Sequence, residues 1–333
     1  MEEFPNSQEA LQAVQSVRLI YIDLGDIEAY ASWVSTLDFV EVADSDIEEA
    51  TYEAAENKFL DNDTQLAISG FQTYLDEFPN GKNSLKSNFY LGQLLYNEGQ
   101  VQESLPYYRE VASRRSNEFT EESLRRLSQI YLSEEDYDQA LSTLTRLETE
   151  ASFSQNSLFA QSNLMKVYYE SKNYSKAIQY AELILEKDQS DEEVRSDAKI
   201  FIARSALKVG DEKRAATAYS DVLETAMGKL KAEALYYEAY FKNKAEDYEA
   251  STAIVQDLTK NYSRYRTYGV KGLLLMAKNF NAMGDNYNAT YILENIIKNF
   301  QSFPEAVAEA EELLKEIKSE AAKTNSSVEV DQN

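Results

Sequence analysis

A small residue recurs about every 37 positions along most of this chain, and that period constrains its fold more than any other feature. Gly92, Gly99 and Ser104 stand at offsets of 7 and 12, as do Ala203, Gly210 and Ala215, and again Ala277, Gly284 and Ala289. Ser128, Glu135 and Ala140 fit the same template with the glycines replaced, and so do Met165, Lys172 and Ala177. Taking the last residue of each unit as its anchor gives Tyr30, Ala67, Ser104, Ala140, Ala177, Ala215, Ser251 and Ala289. The spacings are 37, 37, 36, 37, 38, 36 and 38. One helical turn later come Val34, Phe71, Tyr108, Leu144, Ala181, Tyr219, Val255 and Leu293. All are apolar or aromatic, so anchor and follower share one buried helix face.

The turns repeat too. Four residues before the anchors stand Asp26, Asp63, Gln100, Asp136, Asn173, Asp211, Asp247 and Asp285. All but Gln100 are Asp or Asn, side chains that accept hydrogen bonds from the open N–H groups of a helix start. Gly25, Gly99, Gly210 and Gly284 precede four of them, as suits a left-handed end to the helix before. Each unit therefore predicts helix A, a Gly-Asp turn and helix B; in the third unit these cover about 82–97 and 100–114. Only 10 Gly and 4 Pro in 333 residues leave too few turn formers for a sandwich or barrel, and predict an all-α chain.

The pattern L-G-x-x-x-Y…G-D-Y…A…Y, closed in some units by Pro, resembles the tetratricopeptide repeat from about residue 7 to 319, with a period near 37 instead of 34. The resemblance implies a right-handed superhelical solenoid of about eight helical hairpins, one continuous domain over 7–320, with a capping helix at about 304–320. The segment AISGFQTYLDEFPNGKNSLKSNFYLGQLLYNEGQ (67–100) is similar to envelope proteins of this class, such as outer-membrane assembly lipoproteins and periplasmic partners of the Tol–Pal system. A periplasmic or outer-membrane-associated scaffold is implied, with a cytoplasmic one as the alternative. Glu2-Glu3-Phe4-Pro5-Asn6-Ser7 matches the interior junction Phe78-Pro79-Asn80-Gly81, so the chain is expected to begin within an array, as part of a longer protein.

In this family the inner face of helix A includes the position eleven residues before the anchor. Here that position holds Gln93, Gln129, Lys166, Arg204, Tyr240 and Lys278, with Phe89, Tyr96, Arg125, Tyr169 and Tyr236 one turn away. These are units three to eight, and no acid stands at the central position in those six, although acids outnumber bases 58 to 33. One reading is a groove that holds a partner protein's or peptide's carbonyls and carboxylates, with tyrosines packing on its apolar side chains. Another is that the bases merely pair with nearby helix B acids. A third function class, a glycan or small-ligand module, uses tyrosine-rich grooves as well. The 24 Tyr and 14 Phe divide between packing within the array, as for Tyr90, Tyr107, Tyr108 and Tyr168, and this groove.

A formal charge of −25 repels phosphate backbones, which argues against nucleic acid as a partner. Without Cys or His the chain has no disulfide, no thiolate nucleophile, no Cys/His zinc site and no Ser-His-Asp triad. Adjacent acids such as Glu121/Glu122 and Glu134/Glu135 fall at helix starts or wet faces, not across an apolar cleft. DNDTQ (61–65) lacks the Gly and the terminal Glu of a calcium loop. No cofactor or metal is implied, and the expectation is a non-catalytic protein. No basic, then apolar leader precedes Pro5, and the apolar stretch 269–277 is broken by Lys271, so no membrane span is predicted.

Three local expectations complete the reading. The stretch after Pro304 has one apolar face, Ala306, Val307, Ala310, Leu313, Leu314 and Ile317, and caps the array. The tail 321–333, periodless from Thr324, is expected to be disordered. Pro106 should kink helix B of the third unit, and the seventh unit (235–262) should pack irregularly.

Overall fold

The computed structural model describes residues 7–41, 43–187 and 192–330, with 323–330 by backbone alone. Among these residues are seventeen α-helices and no strand. They pair as the repeat demands: α1 (Gln8–Leu24) with α2 (Ile27–Val34), α3 (Asp44–Leu60) with α4 (Thr64–Glu77), and α5 (Ser84–Asn97) with α6 (Val101–Ser113). Next come α7 (Thr120–Ser133) with α8 (Tyr137–Glu150), α9 (Ser154–Glu170) with α10 (Tyr174–Leu185), and α11 (Glu192–Val209) with α12 (Glu212–Leu223). The last pairs are α13 (Gly228–Lys244) with α14 (Tyr248–Asn261) and α15 (Arg266–Ala282) with α16 (Asn286–Asn299), followed by α17 (Pro304–Val330). Two compact units emerge, Met1–Ala160 and Gln161–Asn333, divided within α9. The junction expected at residues 2–6 lies outside the described residues. Ser7, its last residue, caps α1 by accepting from the N–H of Ala10 at 3.1 Å.

All eight turns are built alike. The N–H of the residue opening helix B bonds back to the carbonyl five residues earlier, from Asp26 to Tyr21 through Asp285 to Phe280, at 2.8–3.1 Å. That bond requires the intervening residue to be left-handed. Gly25, Gly99, Gly210 and Gly284 occupy this position at φ of 72–81°, but so do Asn62, Glu135, Lys172 and Glu246, at 58–61°. The turn therefore survives loss of its glycine, at a steric cost for the three longer side chains. The Asp or Asn that follows then accepts from the N–H three residues on, at 3.1–3.4 Å in seven turns. In the eighth, Gln100 makes no such bond.

The anchors form the seam between the two helices of each hairpin. Seven of the eight are wholly buried and Tyr30 is 3% exposed; Ser104 and Ser251 are as buried as the alanines. Every follower is buried as well. The seventh unit departs in chemistry: Ser251 donates to the Ala239 carbonyl at 2.8 Å, and buried Asn279 donates to Ser251 and Thr252 at 2.8 and 3.1 Å. A polar chain replaces the methyl contact there. Helix α6 continues unbroken through Pro106. Val307, Ala310 and Ile317 of α17 pack on Leu293 and Ile296 of α16, which is the capping contact.

One expectation is corrected. The tail was expected to be disordered from residue 321, yet α17 runs on to Val330. No Gly or Pro interrupts 305–330, and a helix already nucleated by packing extends through indifferent residues at little cost. Residues 331–333 lie outside the described residues.

Candidate functional site

Within the second unit, α13 carries Glu233, Tyr236, Tyr237 and Tyr240 at i, i+3, i+4 and i+7, which is one helix face. Glu233 is only 3% exposed, a position no carboxylate holds without compensation. The compensation comes from three other helices. Arg204 on α11 donates from Nε to Oε1 at 2.7 Å and from Nη2 to Oε2 at 2.6 Å, a two-pronged pair. Tyr268 on α15 donates to Oε2 at 2.6 Å, and Tyr219 on α12 donates to Oε1 at 3.2 Å. Burial alone would push the Glu233 pKa up, but the hydrogen bonds from Arg204 and Tyr268 and the guanidinium charge outweigh it, and the pKa is lowered. An ionised carboxylate with both oxygens engaged is a poor proton acceptor.

Around this pair opens a cleft of about 540 Å³. Tyr169 of α9, Tyr236, Tyr237 and Tyr240 of α13 and Tyr268 of α15 wall it, with Leu207 and Lys208 beside Arg204 on α11. Tyr237 stacks on Tyr219 with centroids 4.3 Å apart and planes 20° from parallel, and Tyr169 meets Phe201 edge-on at 5.2 Å. Desolvation pushes the Tyr236 phenol up to about 12 and raises Tyr169, Tyr237 and Tyr268 too, so these hydroxyls keep their protons.

Of the eleven residues singled out in sequence, the structure gathers Tyr169, Arg204, Tyr236 and Tyr240 on this cleft. The others do not join it. Lys278 of the same unit is exposed and pairs with Glu309. Phe89 is buried, stacked on Phe119 at 4.5 Å, because the hydrophobic side of α5 claims it. Arg125 is spent on Glu122 of its own helix at 2.7 and 2.8 Å. Gln129 accepts from Arg126, whose guanidinium lies 4.6 Å from the ring centre of Tyr96. Gln93 lines a separate hollow of about 390 Å³ with Leu60 and Asn97.

The basic stripe is neutralised. Lys166 meets Asp197 and Arg204 meets Glu233, each on the next helix A, and Lys278 meets Glu309 on the capping helix α17; none meets helix B. Reversing Arg204 to Glu would set two carboxylates together in a buried place, so that change probes stability before binding. Glu233 itself escaped the sequence reading, which placed acids at wet faces. Its signal was its share in the helix face of three tyrosines.

No protein-family model matches the sequence, and no curated protein does. Solved structures do. The C-terminal part of a TPR repeat-containing protein from Cytophaga hutchinsonii matches 77% of this chain and 97% of its own, at 14% identity and a TM-score of 0.54. A tetratricopeptide repeat protein from Parabacteroides merdae (16% identity, TM-score 0.41) matches over 80% of this chain and 99% of its own. Yeast Tom70 (14% identity, TM-score 0.43) matches over 95% of this chain and 62% of its own. This chain has the fold of tetratricopeptide-repeat proteins.

Proposed function

We propose that the chain is a non-catalytic protein–protein interaction scaffold and that a partner segment enters the tyrosine-walled cleft of the second unit. The cleft carries the proposal: the first helices α9, α13 and α15 place aromatic faces and hydroxyls around the ion pair that joins α11 to α13. Such a surface offers contact area and orientation, as interface anchors do, while its one carboxylate is held away from proton transfer. The test is retention of proteins from the source cell on the immobilised chain, beside the variants Tyr169→Ala and Tyr240→Ala. Retention of the same proteins in the same amounts by all three would refute entry through the cleft. A place in the cell envelope belongs to the proposal as well and rests on the resemblance read in the sequence of residues 67–100. Cell fractionation that finds the chain in the cytoplasm would remove it.

A further inference from the structure

The cleft offers more hydrogen-bond donors than acceptors, because Arg204 and Lys208 only donate while its tyrosine hydroxyls both donate and accept. Both oxygens of Glu233, its one carboxylate, are taken by Arg204, Tyr219 and Tyr268. The hydroxyls of Tyr169, Tyr236 and Tyr237 have no hydrogen-bond partner among the described residues. Glu233 engages Nε and Nη2 of Arg204 and leaves Nη1 over. Lys208, one turn further along α11, is exposed on the cleft. A complementary ligand presents carbonyls in excess of N–H or O–H groups, and flat apolar surface to lie on the rings.

We infer that the ligand of this cleft is a proline-rich segment of a partner protein in the polyproline II conformation, which rests on the interaction reading above and specifies it. Each proline contributes a carbonyl and no N–H, and polyproline II turns its carbonyls outward with no internal hydrogen bond. Its rings lie on aromatic walls, and little conformational entropy is lost because the segment is extended before it binds. A glycan fits less well, since every sugar hydroxyl hydrogen needs an acceptor, and with the one carboxylate filled only the phenol oxygens are open. An ordinary extended peptide brings an N–H at each residue, for which again only phenol oxygens are open. An acidic peptide would suit the donors, but it faces the negative ring faces of the tyrosines and a chain of net charge −25.

The experiment is calorimetric titration of the full chain with decaproline, with a Gly/Ser decapeptide and with an Asp-rich decapeptide, each acetylated and amidated at its ends so that no terminal charge takes part. Decaproline should bind, and the Gly/Ser peptide should not. Raising salt from about 0.05 to about 0.5 M should leave decaproline affinity unchanged, since no formal charge pairs across the contact. Tyr237→Ala should weaken it about tenfold. Tyr237→Phe, which keeps the ring on Tyr219 and removes only the hydroxyl, should weaken it roughly three- to tenfold. If Tyr237→Ala also lowers the melting temperature, the phenylalanine variant decides. Decaproline binding no tighter than Gly/Ser, or indifferent to both variants, overturns the inference. So does tighter, salt-sensitive binding of the Asp-rich peptide. A partner that is retained through the cleft but not displaced by decaproline removes the polyproline ligand and leaves the interaction reading intact.

Discussion

Among the acid–base pairs that tie first helices of neighbouring hairpins, one in each unit stands among tyrosines, and these two have opposite settings. In the first unit Glu56 on α3 meets Lys86 on α5 at 2.7 Å, with 27% and 37% of the side chains exposed. In the second, Glu233 on α13 is 3% exposed and Arg204 on α11 is 28% exposed. Tyrosines flank both pairs, Tyr52 and Tyr90 near Lys86 and Tyr219 and Tyr268 on Glu233. What fills the neighbouring space differs. In the first unit Phe59 stacks on Tyr90 at 4.6 Å and Phe89 on Phe119 at 4.5 Å, so the rings beside the pair pack on one another. In the second unit the corresponding faces carry tyrosine, whose hydroxyl needs a polar neighbour or water, and a cleft stays open. A wet ion pair is an accessory to packing. A buried one holds the surrounding side chains in place.

The comparison breaks first on Arg204→Ala set against Lys86→Ala. Losing Arg204 strands a buried carboxylate and should cost about 3–5 kcal/mol, whereas losing Lys86 from a half-exposed pair should cost at most about 1 kcal/mol. Urea unfolding measures both, and Trp33, the one tryptophan, reports the first unit separately by fluorescence. Equal losses would erase the distinction. The pH dependence sharpens it. The lowered Glu233 pKa means that its stabilisation is present above the unfolded value of about 4.3 and is lost as pH falls through the folded one. The gap between wild type and Arg204→Ala should therefore shrink in acid.

Next in size, Ala140→Arg and Ala177→Arg insert a long side chain at wholly buried seams, one in each unit, and each should cost at least about 1–3 kcal/mol. The two losses should be alike, because the seam is what the units share; thermal melting by circular dichroism checks this. Smaller and of opposite sign, Glu135→Gly and Glu246→Gly should each stabilise by about 1 kcal/mol, because each relieves a left-handed residue at φ near 60°. Gly99→Ala and Gly210→Ala should lose a similar amount. A null result for all four would mean that the turns carry no strain. Smallest, Gln100→Asp should supply the missing cap of α6 and add about 0.5–1 kcal/mol, read from the urea midpoint.

The hairpins, their turns and their seams were legible in the sequence, because each depends on residues three to five apart. Asp136 caps the Gln139 N–H, Glu135 bends left-handed before it and Ala140 lies four residues on, all within one stretch of chain. The partners in space were not. Arg204 and Glu233 are 29 residues apart, Lys166 and Asp197 are 31, and Lys86 and Glu56 are 30 with acid and base exchanged, so no fixed offset announces a pair. Whether Phe89 packs inward or Tyr237 walls a cleft depends on how neighbouring hairpins turn against each other and on what the next helix sets opposite. Short-range hydrogen bonds determine the repeat from the sequence alone. Which charges are buried together, and where space is left open beside them, is decided only when the helices pack, because burial belongs to the whole neighbourhood and not to any one segment.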